Sequence, residues 1–175
     1  MNREHSRREC EALIAGLDLP IPFDLAEMCA HFGAQRSKPI VLMATSMAIS
    51  TLCGLWLGTA KADYVFYEQD TSVLHQQHIV FHEIGHILRQ HAPNKTLSSD
   101  IARILAPAVG TSEVQRVLGR DTYSDDDEYE AELIATLLLR RVSQLPDAHA
   151  WSTDEASPTD AAARVERALR RPERR

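Results

Sequence analysis

Residues 70 to 91, DTSVLHQQHIVFHEIGHILRQH, form the segment that most constrains the fold of this chain. Asp70 or Thr71 can cap the start of a helix here, and Pro93 cannot continue one. Apolar side chains recur at helical spacing and form a core stripe: Ile79, Ile84, Ile87 and Leu88. The pattern predicts one long helix that buries a single face, so the other elements must pack around it.

Two helices and a set of strands are predicted before this segment. The first helix is expected over residues 4 to 16, with Gly16 as its stop signal. A second should begin near Asp24 and end at Phe32, where Gly33 closes it. Three candidate strands follow: PIVLMAT, LCGLWLGT and ADYVFYE.

The first two candidate strands lie in a stretch without charge, residues 39 to 60. About 20 apolar residues are enough to cross a bilayer as a helix, so a membrane span is one interpretation. The stretch is rich in Ser, Thr and Gly, however, and it divides around the sequence TSMAIS. These features favour two buried strands, with the membrane span as the alternative.

The C-terminal half is predicted to be helical. Short helices are expected near residues 98 to 105 and 111 to 118, and a buried helix, YEAELIATLLLRRVSQL, follows the acidic run SDDDE. The fold class is therefore α+β, with a small three-stranded sheet packed on several helices. One domain should cover residues 1 to 145, with its core at about 15 to 145. Residues 146 to 175 read as a linker and a basic tail that is a candidate helix.

Composition limits the classes of function. The net charge of −6 argues against direct nucleic-acid binding, which favours a basic surface. The three cysteines have no CxxC spacing, so neither a disulfide framework nor a thiolate metal site is indicated. The charged N-terminal residues lead into no signal-peptide core. Buried, reduced thiols in a cytoplasmic protein are the expectation.

The long helix contains His82, Glu83 and His86 in the arrangement HExxH. Residues four apart lie on one helix face, so two imidazoles at this spacing can share a zinc ion. Glu83 lies on the same edge and can take a proton from water that the metal activates. Two surface histidines with a salt-bridged glutamate are the alternative. Gly85, in the middle of the helix, favours the metal site, because it leaves room for a close neighbouring element at a cost of ~1 kcal/mol in helix propensity.

The third metal ligand is expected from another helix. His78 lies two turns from His86, and ligands at i, i+4 and i+8 are spread over ~12 Å of axis. His91 lies five residues after His86, where the metzincin pattern needs six and a glycine. His75 and His78 are expected as polar contacts at the mouth of the cleft. The remaining route is a carboxylate, as in His₂Glu zinc sites.

Glu128 and Glu132 supply that carboxylate in the sequence DEYEAELIATLL. They are four residues apart and share a face, whereas Glu130 points away. We assign Glu128 as the metal ligand and Glu132 as the group that orients a ligand histidine. The reverse assignment remains open. A solvated helix start, favoured by the helix dipole, is the alternative for the acidic cluster.

HEIGHILRQH followed by EYEAELIATLL resembles the ImmA/IrrE family of zincin-like metallopeptidases, whose motifs are HExGHxL and ExEA. The resemblance covers about residues 15 to 145 and includes the order of two strands before the active-site helix. It implies a compact cytoplasmic gluzincin with one catalytic zinc ion and no membrane span. It also implies a protein substrate, a helix-turn-helix repressor of the XRE type that is encoded nearby and inactivated by cleavage.

The expected function is therefore zinc-dependent hydrolysis of a peptide bond in a partner repressor, with Glu83 as general base and then acid. A module that sequesters the repressor without cleavage and a membrane-anchored protease are the alternatives. Tyr123 and Arg120 are candidate stabilisers of the oxyanion, with ordinary loop packing as the alternative. An exposed sheet edge near YVFYE is a candidate site for substrate bound as an added strand.

Overall fold

The computed structural model describes residues 2–46, 53–91 and 123–146, which contain four helices and a three-stranded mixed sheet. The α+β class is thereby confirmed. The helices predicted near residues 98 to 105 and 111 to 118, Arg120 and nearly all of the tail from residue 146 lie outside the described residues. The elements are α1 Arg3–Ala15, α2 Leu25–Gln35, β1 Ile40–Thr45, β2 Gly54–Gly58, β3 Asp63–Glu68, α3 Val73–Leu88 and α4 Asp125–Ser143.

The strands are ordered β1-β3-β2, with β1 parallel and β2 antiparallel to β3. The prediction of an exposed edge near YVFYE is wrong, because that sequence is β3 and pairs on both sides. Val65, for example, lies between Leu42 of β1 and Trp56 of β2. Sequence order did not reveal this, since β2 and β3 form a hairpin while β1 joins from the other side. Among the described strands, β2 carries the outer edge that lies beside α3.

Both faces of the sheet are buried, which explains the near-continuous apolar character of its strands. One face joins the helices in the main core through Trp56, Val65 and Tyr67. The other face is also buried, and it comprises Val41, Met43, Leu55, Leu57, Tyr64 and Phe66. Side chains of β3 alternate between these two faces, with Val65 and Tyr67 opposite Tyr64 and Phe66.

The uncharged stretch 39 to 60 supplies β1 and β2, as the strand interpretation predicts. Short strands satisfy their backbone hydrogen bonds within the sheet, so the stretch has no need to be one continuous helix. Across the described part of the chain, no helix has the length and apolar character that crossing a membrane would require.

The predicted helix ends are partly wrong. Helix α1 ends as expected, with Gly16 at its C-cap. Helix α2 continues past Gly33. Glycine is needed there for close packing, because a methyl group would lie 3.0 Å from the Ile40 backbone nitrogen. Ser72 caps α3 in place of Asp70 or Thr71, through a bond from the His75 amide to its hydroxyl oxygen.

A buried carboxylate fastens the strands at the end where β3 begins. Asp63 is fully buried and accepts bonds from Arg36 at 2.8 Å and from the Trp56 indole at 3.0 Å. The Lys38 ammonium lies 2.7 Å from the same group. Buried charges are stable only when paired in this way, so Asp63 connects α2, β1 and β2 through β3.

All three cysteines are free. Cys10 and Cys29 are buried, as expected, whereas Cys53 is exposed beside the start of β2 and the expectation of burial is wrong for it. Burial raises the pKa of the Cys10 thiol to about 11 and also raises that of Cys29. Both buried thiols are therefore protonated at neutral pH, which makes them inert core residues.

Candidate metal centre

The candidate centre lies where α3 packs against α4. A methyl group at Gly85 would lie 2.9 Å from the Ala131 Cα and 3.0 Å from the Ala131 carbonyl oxygen. Only glycine allows the two helix backbones to approach this closely, as the sequence led us to expect. Gly85 directly precedes His86, and Ala131 follows Glu128 by less than one turn. The close contact therefore brings the histidines of α3 to the first turn of α4.

Helix α4 begins earlier than predicted, at Asp125, because Ser124 forms a capping box with Asp127. The Ser124 hydroxyl accepts from the Asp127 amide, and the Asp127 carboxylate accepts from the Ser124 amide, each at 3.1 Å. The acidic run thus lies in the first turn, where the helix dipole favours negative charge. This placement fixes Glu128 on the helix at the level of the histidines.

His82, His86 and Glu128 form a triangle of ligand atoms. The two Nε2 atoms are 3.1 Å apart, and Glu128 Oε2 lies 3.3 Å from His82 Nε2 and 3.9 Å from His86 Nε2. Four ligands at zinc distances of ~2.0–2.2 Å in a tetrahedron are separated by about 3.3–3.6 Å. The triangle therefore has the size of one face of a tetrahedral zinc site. Its three donors could hold a metal ion, as the sequence predicts.

Glu132 lies behind His82, on the side away from the triangle. Its Oε2 is 3.5 Å from His82 Nδ1 and 3.2 Å from His78 Nε2. The predicted role of Glu132 in orienting a ligand histidine is compatible with this position. His78 contacts Glu132 and is not one of the three grouped donors, and His75 is exposed, which agrees with polar positions outside the ligand set.

Glu83 is buried between α3 and the first residue of β2. A methyl group at Gly54 would lie 2.4 Å from Ile79 Cγ2 and 3.0 Å from Glu83 Oε1. The glycine therefore makes the space that the Glu83 carboxylate occupies next to the sheet edge. Sequence reasoning missed Gly54, although a glycine inside a strand can signal close approach of another group.

Tyr123 stacks on His86, with ring centroids 3.8 Å apart and an angle of 16° between the rings. Burial raises the pKa of its hydroxyl well above the usual value, and the carboxylates of Glu83, Glu128 and Asp127 raise it further. The phenol therefore keeps its proton at neutral pH and remains a hydrogen-bond donor next to these acids.

The spacing of His91 from His86 argues against a role as metal ligand, and the structure places His91 directly behind His86. The two Nδ1 atoms are 2.9 Å apart. The predicted helix ran to His91, but α3 ends at Leu88 because Gln90 adopts a left-handed conformation with φ 56°. The His91 amide donates to the His86 carbonyl at 3.0 Å, and the Gln90 amide donates to Ile87 at 3.2 Å. This Schellman turn folds His91 back over the preceding turn.

Glu130 points away from the ligand triangle, as predicted, but it is buried and forms a second cluster of polar groups. Its carboxylate accepts from Arg89 Nε at 2.6 Å and from the Ser6 hydroxyl at 2.6 Å, and His91 Nε2 lies 3.3 Å away. Burial alone would raise the pKa of Glu130, but the bonds from Arg89, Ser6 and His91 together lower it. Helical spacing in the sequence does not indicate this cluster, because its members come from three separate parts of the chain.

Substituting Gly85 by alanine should weaken both the fold and the metal site. The added methyl group meets backbone atoms, so overpacking should cost ~1–3 kcal/mol, against a gain of about 1 kcal/mol in helix propensity. Separation of α3 from α4 should also lower zinc affinity. Urea unfolding and zinc titration measure the two effects.

Gly16→Ala is the matched control, because a methyl group there meets nothing closer than 3.5 Å. It should leave zinc affinity unchanged. A Gly85→Ala protein as stable as the unsubstituted chain, with the same zinc affinity, would show that the close contact of α3 with α4 does not build the site.

Comparisons of the chain with protein-family models, with curated proteins and with solved structures found no match.

Proposed function

We propose that this chain is a zinc-dependent endopeptidase with a zincin-like, gluzincin-type arrangement of its helices and sheet. One observation carries the proposal: a triangle of donors from His82, His86 and Glu128, of the size that tetrahedral zinc requires, lies on the helix that also bears the buried Glu83. Structural zinc sites use four protein ligands, whereas three leave one position for a reactant. Within the described ranges three donors are grouped at this point, which favours a catalytic role over a structural one.

His82 and His86 would hold the ion through Nε2, and Glu128 through Oε2. When bound, zinc supplies Lewis acidity, which makes water acidic enough to react near neutral pH and polarises a carbonyl group. Nitrogen and carboxylate donors suit zinc, and none of the donors is a thiolate. Both imidazoles are neutral when they bind a metal, so they add no charge to the site.

Glu83 is the proposed general base and acid. It directly follows His82 on α3, and its carboxylate lies between the helix and the edge of β2. From there it would take a proton from the attacking water and deliver that proton to the leaving amine. Low access of bulk solvent to a buried carboxylate helps to keep the proton for the reaction.

The outer edge of β2 is the proposed binding site for the substrate. Among the described strands none pairs with this edge, and its first residue, Gly54, lies beside Glu83. An extended peptide can bind to such an edge as an added strand through main-chain hydrogen bonds. That geometry would bring a peptide bond of the substrate close to Glu83.

Tyr123 is the proposed donor to the oxyanion that forms when water attacks the carbonyl. Removing its hydroxyl in Tyr123→Phe keeps the ring on His86, so zinc affinity should stay within a few-fold. Turnover should fall by ~10²-fold or more, as on loss of other oxyanion donors. Steady-state kinetics with a cleaved peptide would measure this, and Tyr129→Phe on α4 is a control. Unchanged turnover would show that Tyr123 only packs its ring on His86 and does not donate to the oxyanion.

The ImmA/IrrE-like motifs are the basis for the proposed biological setting. By that resemblance, the substrate is an XRE-type helix-turn-helix repressor encoded nearby, and the protein acts in the cytoplasm. The net charge of −6 suits a partner with a basic DNA-binding surface. The proposed regulatory role rests on the same resemblance. The proposed zinc ion rests on that resemblance and on the donor set.

Zinc-dependent cleavage tests the proposed function. The zinc-loaded chain should cut a candidate repressor or members of a random peptide library, detected by mass spectrometry. The chelator 1,10-phenanthroline should stop cleavage, its non-chelating 1,7 isomer should not, and added zinc should restore it. Cleavage that continues in the chelator would overturn the zinc mechanism. Capture of the repressor without any cleavage would favour the sequestering alternative.

A further inference from the structure

His86 is held from behind by a chain of hydrogen-bonding groups that reaches Glu130. His86 Nδ1 lies 2.9 Å from His91 Nδ1, and His91 Nε2 lies 3.3 Å from Glu130 Oε2. His86 and His91 are both buried. Glu130 is neither in the ligand triangle nor on the face of Glu132, so its burial has no explanation in the reaction chemistry.

The Glu130 carboxylate is fixed by donors from two other elements. Arg89 binds it in a fork, with Nε 2.6 Å from Oε2 and a terminal nitrogen 3.2 Å from Oε1. Ser6 of α1 donates to Oε1 at 2.6 Å, and Arg89 is held by Glu9 of α1 at 3.0 Å. A bidentate arginine pair fixes geometry as well as charge, so the carboxylate presents Oε2 to His91 in one orientation.

The roles of the ring nitrogens follow from this arrangement. A carboxylate only accepts hydrogen bonds, so His91 must carry its proton on Nε2 and donate it to Glu130. A neutral His91 then has an acceptor at Nδ1. Because that atom faces His86 Nδ1, His86 must carry its own proton on Nδ1. Its Nε2 lone pair is left on the side of His82 and Glu128, which is the tautomer that binds a metal.

We propose that Glu130 and His91 are positioning residues that select the metal-binding tautomer and orientation of His86. The inference rests on the proposed function only in treating His86 as a zinc ligand. The turn at Gln90 supports this proposal. A left-handed conformation of a non-glycine residue costs ~1–2 kcal/mol, and in this chain the turn places His91 against His86. Through Ser6, the relay formed by His86, His91 and Glu130 also connects helix α1 to the site.

The tautomers can be measured directly in the metal-free protein. Long-range ¹H–¹⁵N spectra of the imidazoles distinguish a protonated Nδ1 from a protonated Nε2. We expect His86 to be protonated on Nδ1 and His91 on Nε2. The opposite tautomer of His86 would overturn the proposal. This test needs neither bound zinc nor any peptidase activity, so it gives a result even where the proposed function fails.

Glu130→Gln tests the anchor of the relay. Whichever way the amide turns, its NH₂ group faces a donor of Arg89, so the fork breaks and the bond to His91 weakens. The imidazole shifts of His86 should move towards those of a tautomer mixture. Zinc affinity, measured by competition with a chromophoric chelator, should fall by ~10–100-fold, the usual effect of losing such a partner. Asp127 Oδ1 lies 3.4 Å from His91 Nε2 and is a second acceptor for it, which limits the loss of zinc affinity.

Glu9→Gln is the matched control, because it removes the other, exposed partner of Arg89 and leaves Glu130 and His91 in place. It should retain the shifts of His86 and the zinc affinity. An equal loss of zinc affinity in Glu9→Gln and Glu130→Gln would overturn the proposal. The loss would then come from a change of charge next to Arg89 and not from the bond between Glu130 and His91.

His91→Phe supplies a second, independent variant that keeps the ring volume and removes both nitrogens. Zinc affinity should again fall ~10–100-fold. The double variant with Glu130→Gln should lose no more than His91→Phe alone, because Glu130 acts through His91. Additive losses, or an unchanged affinity in His91→Phe, would contradict the relay. Where Glu130→Gln fails to fold, His91→Phe and the tautomers of the unsubstituted protein decide the matter.

Discussion

Glu83→Gln should lower the turnover of peptide hydrolysis by ~10²- to 10⁴-fold, while zinc still binds. The amide has almost the volume of the carboxylate, so the packing beside Gly54 is kept. It cannot take a proton from water, however. Zinc affinity should change only a few-fold, because Glu83 is not one of the three grouped donors.

The measurement pairs peptide cleavage with zinc titration on the same samples. Glu11→Gln, an exposed glutamate of α1, is the control and should match the unsubstituted chain in both. Full cleavage by Glu83→Gln would remove Glu83 from the mechanism. Normal zinc and partner binding in both proteins, with cleavage in neither, would favour a sequestering module.

Glu128→Gln should have the larger effect on metal binding, and Glu132→Gln the smaller. An amide oxygen is a weaker zinc ligand than a carboxylate, and Glu128 Oε2 lies 3.3 Å from His82 Nε2, inside the triangle. Glu132 Oε2 lies 3.5 Å from Nδ1, on the other side of the same ring. Glu128→Gln should therefore lower zinc affinity by more than the ~10–100-fold that is typical of losing an outer partner. Glu132→Gln should lower zinc affinity by that amount or less.

These two variants also decide the assignment that the sequence left open. Both residues lie on α4 one turn apart, and both are partly or largely exposed, so the pair is matched for helix position and for stability effects. Competition titration of zinc would measure both proteins. A greater loss in Glu132→Gln would reverse their roles, and equal small losses would remove the carboxylate from the site.

The helix with HExxH and its partner glutamate could be predicted because their signals are local. His82 and His86 are four apart on a strongly periodic helix, and Glu128 and Glu132 repeat that spacing on the second. Any helix that carries such pairs displays them on one face. Gly85 added a tertiary signal, since a glycine in mid-helix suggests a close neighbour.

The relay through His91 could not be predicted from helical spacing. A residue five positions after His86 on a continuous helix lies ~140° around the axis from it. The helix ends at Leu88 and turns at Gln90, without the glycine that usually marks such a turn. Pro93 was the available signal, because the residue before a proline avoids the helical conformation and the helix must end earlier.

The order of the strands depended on tertiary contacts that the sequence does not encode locally. YVFYE reads equally well as an edge strand or a central strand, because both of its faces are apolar. Pairing with β1 on one side and β2 on the other makes it central and moves the edge beside Glu83 to β2. The burial of Glu130 likewise depends on α1, more than a hundred residues earlier in the chain.

The most direct test of a shared metal site at His82, His86 and Glu128 is the X-ray absorption spectrum of the chain loaded with one equivalent of zinc. We expect four nitrogen or oxygen neighbours at ~2.0–2.2 Å, with the scattering pattern of two imidazoles. Zinc bound by sulfur, zinc surrounded by six oxygen atoms, or zinc lost on simple dialysis would contradict it.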